Sequence, residues 1–173
     1  MNISDLALDS GVFEEATQHV QAAITIFEQL GDQPQIAVAQ TRLGTIALRA
    51  GDRAAALGHY RQSLMLAHAI GFQPGIVESL EGMAACSLAK QPLLAAKLLA
   101  ASAALRATIQ LPVAFLEMRH HTQLIEATRH ASDSVHWAAT WQAGQSLSVA
   151  QAVALALAKV TAGLDELIDI MYH

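Results

Sequence analysis

Histidine is an abundant side chain here suited to acid–base or metal chemistry, with eight copies against a single cysteine, Cys86. Spacing decides what these residues can do. His120 and His121 are adjacent, so on a helix they diverge by about 100° and are poorly placed to share a metal ion. Glu117 and His120 form Glu-x-x-His at i, i+3. A di-iron bundle needs two such pairs plus two further carboxylates, and one pair is found. Glu126 and His130, at i, i+4, suit an exposed charge pair on a solvated helix face. No His-Glu-x-x-His, Cys-x-x-Cys or Gly-x-Ser-x-Gly run occurs, nor a credible paired acid and base. The expectation is no catalytic residue, no metal site, no cofactor and no enzyme. Cys86 sits beside Leu80 and Met83 without a local histidine or basic neighbour, and reads as a small buried hydrophobe. Trp137 and Trp141 lie one helical turn apart. Such a pair either walls a ligand site or anchors a closing helix in the core. It is the candidate ligand contact.

The elements that carry these residues are helical. The chain has 173 residues, 53% hydrophobic and 14% charged, with much of the apolar content in alanine, the best helix former. Glycine and proline fall at the joints between periodic segments. The net charge of −5, with ten lysines and arginines scattered along the chain, lacks the basic face that direct nucleic-acid contact requires. The first ten residues carry no basic region of a signal peptide. The most apolar runs, 93–105 and 149–157, fall short of the roughly 18–20 clean residues of a membrane span. A cytoplasmic protein is expected, without membrane or nucleic-acid contact.

Residues 43–71 organise the rest. They read as two amphipathic helices joined by a tight turn at Ala50, Gly51 and Asp52, and the pattern returns about forty residues away on either side. Gly11, Ala16, His19, Val20, Ile24, Leu30, Gly31 and Pro34 precede Gly51, Ala56, His59, Tyr60, Leu64, Ile70, Gly71 and Pro74 by that interval. Met83, Ala95, Ala96, Ala100, Ala104 and Pro112 form a weaker copy beyond. A fixed period of this size predicts stacked helical hairpins. Helices are expected over about 12–30, 35–50, 52–70, 75–90, 93–109, 113–131, 133–143 and 148–171. Gly31 and Gly71 stand in the left-handed position after a helix, Asp52 caps one, and Ser148 with Gln151 suits a capping box. Residues 2–9 match the second half of a first helix, with a turn at Gly11. The chain thus starts mid-repeat, which predicts a fragment of a longer chain or a partner that covers the gap.

Leu43-Gly44-x-x-Ala47, then Ala56-x-x-x-Tyr60, then Ser63 resembles the tetratricopeptide pattern over about 110 residues. In that pattern small residues let helices approach and an aromatic fills the gap between hairpins. The third copy departs from it, with Ala84 for the glycine and Ala100 for the aromatic. The implied fold is all-α, a right-handed α-solenoid of elongated tetratricopeptide-like hairpins. Repeats occupy 1–111, the first hairpin truncated, and capping helices occupy 112–173. A narrower resemblance lies further on. Ala95-Ala96-Lys97-Leu98-Leu99-Ala100-Ala101 to Ala104-Leu105-Arg106, with Trp141-x-x-Gly144-x-x-Leu147-Ser148 and Ala152-Val153, resembles the end of large bacterial signal-transduction ATPases, LuxR-type or activator-type transcriptional regulators. It spans roughly 37–158. There the repeat array follows nucleotide- and DNA-binding modules, and senses a partner or small molecule to restrain or release them. Neither module is in this sequence, which has no Gly-x-x-x-x-Gly-Lys-Ser/Thr loop and no basic recognition helix.

The tetratricopeptide register places Asp5, Asp9, Thr41, Thr45, Arg49, Glu78, Glu81 and Ala85 on the concave groove, a small, polar and net acidic set. It implies a protein or peptide partner of basic or mixed character, or alternatively a small-molecule effector. The uncovered Ile3, Leu6 and Phe13 imply self-association, most simply a homodimer.

Overall fold

The computed structural model describes residues 3–113 and 115–158, without the side chains of 3–11 and 115–117. Among these residues the fold is all-α. The helices are α1 (Ile3–Leu30), α2 (Gln33–Arg49), α3 (Arg53–Ala69), α4 (Gln73–Ser87), α5 (Pro92–Thr108), α6 (Phe115–His130), α7 (Ser134–Gln145) and α8 (149–158). No described helix is long and apolar enough to cross a membrane.

The joints follow from local chemistry. Gly31, Gly51 and Gly71 hold φ of 67°, 87° and 69°, a region open to glycine without steric cost. Each reverses the chain after a helix. The next helix then starts on a capping aspartate in two cases: Asp32 accepts from the Gln35 amide at 3.2 Å, and Asp52 from the Ala55 amide at 2.9 Å. At the start of α8 the Ser148 amide donates to Gln151 Oε1 (2.9 Å) and the Gln151 amide to Ser148 Oγ (3.2 Å). This is the reciprocal box expected there.

One joint is absent. The expected turn at Gly11 does not form, and α1 runs unbroken from Ile3 to Leu30. The position equivalent to the capping Asp52 is Val12, which has no oxygen to receive the free amides of a new helix. Continuing the helix satisfies those amides, so the first element is one long helix and not a truncated hairpin.

The helices stack in sequence order, α1 on α2, α2 on α3, α3 on α4 and α4 on α5. This is the solenoid of helical hairpins that the period implies. Its core runs through every layer. Leu64, Ile76, Leu80, Met83, Leu98 and Leu99 are at most 2% exposed, and each such burial contributes about 1.5–3 kcal/mol. Cys86 lies in this core as expected, 3% exposed. Three hydroxyls cross-link α2, α3 and α4 inside it. Ser63 Oγ donates to the Ala37 carbonyl (2.8 Å), lies 2.8 Å from Thr41 Oγ1, and accepts from Ser79 Oγ (2.9 Å). With its one proton given to the carbonyl, Ser63 receives both neighbours, so these three hydroxyls are all satisfied.

Tyr60 sets the spacing between hairpins. A Cβ added to Gly44 of α2 would come within 2.8 Å of its ring, and one added to Gly82 of α4 within 2.2 Å. The ring of Tyr60 is therefore held between two helices at positions where only hydrogen fits. In the third copy the partners change together. Ala100 replaces the aromatic, so Ala84 needs no glycine clearance.

After α5 the row continues in an unexpected place. It is α7, not α6, that lies along α5 as extensively as α4 lies along α3, while α6 touches α5 over a short stretch. Gly144 of α7 meets Ala100, where an added Cβ would be 2.7 Å from the Ala100 Cβ and 2.5 Å from the Lys97 carbonyl. Gly82 follows Tyr60 by 22 residues, but Gly144 follows Ala100 by 44. The additional stretch is α6 with its flanking loops. Ala152, Val153 and Ala156 of α8 then complete the core. The part of the last helix expected over 159–171 lies outside the described residues.

Candidate binding cleft

α2 and α4 stand side by side on one face of the stack, and α6 runs across that face. Between them is a cavity of about 670 Å³. Thr41, Thr45, Arg49, Glu78, Glu81 and Ala85, placed on the groove by the repeat register, all line it. Asp5 and Asp9 have side chains outside the described residues. Spacing explains the convergence: three- and four-residue intervals put 41, 45 and 49 on one stripe of α2, and 78, 81 and 85 on one stripe of α4.

The cleft holds residues that the register did not supply. Val20 of α1, Val38, Arg42 and Ile46 of α2, Tyr60 of α3, Arg106 of α5, and His120, His121 and Leu124 of α6 complete the wall. The expected net acidic character also counted Asp5 and Asp9, whose side chains lie outside the described residues. Among the described residues the charged lining is Arg42, Arg49 and Arg106 against Glu78 and Glu81, one net positive charge with histidine neutral. Arg106 brings its charge from another layer, which a single-hairpin register does not see.

Arg106 also consumes the charge of Glu81. Its Nε donates to Oε1 at 2.7 Å and an NH2 nitrogen to Oε2 at 2.9 Å, a bidentate fork. Ser102 Oγ adds a contact to Oε1 at 3.3 Å. The remaining guanidinium nitrogen donates to the Pro112 carbonyl at 3.1 Å, fixing the chain as it leaves α5. Both side chains are mostly buried, 10% and 16% exposed. Burial alone would push the Glu81 carboxyl up, but the bonds and charge of Arg106, with His121 beside it, outweigh burial and hold it below the ordinary 4.5. His121 Nε2 lies 3.4 Å from Glu81 Oε1, with its side chain 18% exposed. The two neighbouring histidines do diverge: His120 is exposed, while His121 turns towards Glu81. The fold of α6 over α4, invisible to local spacing, buries one of two neighbours.

Trp137 and Trp141 are stacked, with ring centroids 5.0 Å apart and planes 20° from parallel. Trp137 Nε1 donates to Thr128 Oγ1 at 3.0 Å, Arg129 lies over its ring at 5.6 Å, and Trp141 packs on the core. Neither ring lines the cleft. The pair fastens α7 to the end of α6. No cluster of three or more metal-ligating side chains occurs among the described residues.

The buried groups predict the pH range of stability. His59, hydrogen-bonded to Gln40 at 2.8 Å, is lowered from 6.5 because burial disfavours its charged form. Glu81 is also lowered. For both, the unfolded chain takes protons first, so stability falls as pH drops below about 6.5 and again below about 4.5. Burial pushes the Cys86 thiol up to about 11 from 9.0 and the Tyr60 hydroxyl to about 12 from 10.0. There the unfolded chain loses protons first, so stability falls as pH rises above 9.0. Thermal melts across pH should show a plateau between these limits. Cys86→Ala should move the alkaline loss towards 10.0, the ordinary value for Tyr60. An unmoved onset would contradict this assignment.

Among known proteins, a family model described as tetratricopeptide repeat matches residues 1–67. No curated protein and no solved structure matches the chain. The first two-fifths of the chain is thus similar in sequence to tetratricopeptide repeats, and the described residues carry the corresponding stack of hairpins.

Proposed function

We propose that this chain is a non-catalytic interaction module that holds a protein or peptide segment against the α2–α4 wall. The observation that carries the reading is the convergence of Thr41, Thr45, Arg49, Glu78, Glu81 and Ala85 on one cavity. Tetratricopeptide repeats generally serve protein–protein contact, which supports it. The lining favours a segment of mixed character. Val38, Ile46 and Leu124 offer apolar surface, and Arg42 and Arg49 suit a carboxylate, which favours the mixed over the basic of the two characters expected from the register. Selection from a random peptide display library tests the reading. Ala85→Trp, which fills the cleft from its wall, should abolish capture of selected peptides, and Arg49→Glu should weaken acidic ones about tenfold, the effect of one lost charge-assisted hydrogen bond. Selected peptides that ignore both substitutions would end the proposal. Glu81 is unsuitable for this test because Arg106 depends on it.

A small-molecule effector is the second reading, supported by the volume of about 670 Å³, which lies within the range of ligand pockets. Stabilisation by a metabolite set and not by peptides, removed by Ala85→Trp, would favour it. The resemblance of 95–106 and 141–153 to the closing run of bacterial signal-transduction ATPases supports a place for the module, closed by 112–173, in a cytoplasmic transcriptional regulator. There, occupancy would restrain or release an ATPase. An ATPase that carries this module and responds identically with Ala85→Trp would remove that placement.

Self-association is proposed through α1. Phe13, expected to be uncovered, is half-buried, and Ile3 and Leu6 have side chains outside the described residues. Among the described side chains of α1, the exposed large apolar ones are Val12, Ile26 and Leu30, at 64%, 55% and 73%, which helical spacing places on one face. Sedimentation should show a concentration-dependent dimer that Ile26→Lys with Leu30→Lys disrupts. A monomer at all concentrations would refute it.

A further inference from the structure

α6 occupies the mouth of the cleft, yet few of its described side chains, those of 118–130, are built into the core. Between 118 and 130 only Thr128 is fully buried, Leu124 and Ile125 are half-buried, and most of the rest is exposed. Its contact with α5 is short and with α7 shorter. It is also the stretch by which the spacing from Ala100 to Gly144 exceeds that from Tyr60 to Gly82. The row of hairpins closes without it, because α7 takes the place along α5.

The polar hold on α6 is incomplete as well. Two buried side-chain atoms among the described residues have no hydrogen-bond partner, His121 Nε2 and Ser132 Oγ. One lies in α6 and the other just after it. His121 Nε2 is near Glu81 but not aligned to bond it, whereas Glu81 already receives the fork of Arg106. If α6 lifts, Glu81 gives up the 3.4 Å approach of His121 but keeps the fork of Arg106, and both atoms without a hydrogen bond gain water. An element whose departure repairs two unsatisfied groups and leaves the buried ion pair whole belongs to the low-stability part of a fold.

We propose that α6 is a displaceable cover over the α2–α4 wall, opening while α1–α5 remain folded, so that access to the cleft is set by the population of the open form. The inference rests on the cleft being the binding surface only for its use; the opening itself does not depend on it. A partner that binds the wall in the place of α6 draws the population towards the open form.

The test uses the full chain with Cys86→Ala, so that a thiol introduced by Ala85→Cys on the cleft wall is the only one. Its rate of modification by a small maleimide reports access. Leu124→Asp, which removes an apolar contact of α6 on the cleft side, should raise that rate about tenfold, while a thiol introduced by Gly58→Cys at an exposed site on α3 is modified at an unchanged rate. Amide exchange in the unsubstituted chain gives a second reading: amides of 118–130 should exchange together and well before those of α2 and α4. An unchanged rate at position 85, or exchange of 118–130 in step with α4, would overturn the proposal. Should Leu124→Asp unfold the array, α6 is part of its foundation and the proposal also fails. Faster modification with no peptide selected would leave the cover standing and remove the peptide reading. Peptide capture with an unchanged rate would do the reverse.

Discussion

Arg106→Leu should cost about 3–5 kcal/mol of stability near neutral pH, among the largest effects available to one substitution here. The side chain spans two layers, and its loss leaves the Glu81 carboxylate mostly buried without the fork that holds it below its ordinary range. It also frees the Pro112 carbonyl. The sign of the pH dependence distinguishes this cause from lost packing. In the variant, burial is no longer outweighed, so Glu81 titrates above its ordinary value and is accommodated as the neutral acid. The deficit should then shrink as pH falls through the carboxyl range and be fully present above it. The double replacement Glu81→Leu with Arg106→Leu should cost less than Arg106→Leu alone, because no charge is left stranded. Urea unfolding of the three variants between pH 4 and 8 measures both. A deficit independent of pH, or a double variant that loses the sum of the two, would show that the pair matters only for shape.

The second large effect is a reversal of sign at Gly82. In an ordinary helix interior, glycine to alanine stabilises by about 1 kcal/mol. Here the new methyl would lie 2.2 Å from the Tyr60 ring, itself held from the other side by Gly44. Overpacking of this kind typically costs about 1–3 kcal/mol, and the bracing of the ring places Gly82→Ala at the upper end. Gly44→Ala, with 2.8 Å, should cost less. With Tyr60→Ala as background the obstruction is gone, and Gly82→Ala should then stabilise. Denaturation midpoints of the four chains form a cycle whose coupling reports the contact. Equal effects of Gly82→Ala in both backgrounds would mean that the hairpin spacing is not set by this ring.

The legible and illegible parts of this chain divide by distance along it. Turns were legible because glycine and a capping aspartate act over four residues, as at Gly51 and Asp52. The α2 and α4 stripes of the cleft were legible because helical periodicity acts over eight. The missing joint at Gly11 shows the limit of copying by period: the glycine is repeated, but the cap is not, and Val12 lets the helix continue. The constellation of Glu81, Arg106 and His121 joins three helices across 40 residues, so no local spacing encodes it. One signal was available. Arg106 is one of two cations, with Lys97, on an alanine- and leucine-rich helix that carries no acid, and a charge placed there needs a partner. The position of α6 was hidden for a different reason. Its helical pattern is ordinary, and only the pairing of Gly144 with Ala100 reveals that it stands outside the row.

The central claim is that α2 and α4 form the wall that receives a partner. Amide exchange of the full chain with and without a display-selected peptide tests it most directly. Protection should appear along 41–49 and 78–85, with faster exchange in 118–130 as α6 gives way. Protection confined to the outer face of α1, or spread over the α7–α8 end with the wall unchanged, would contradict it.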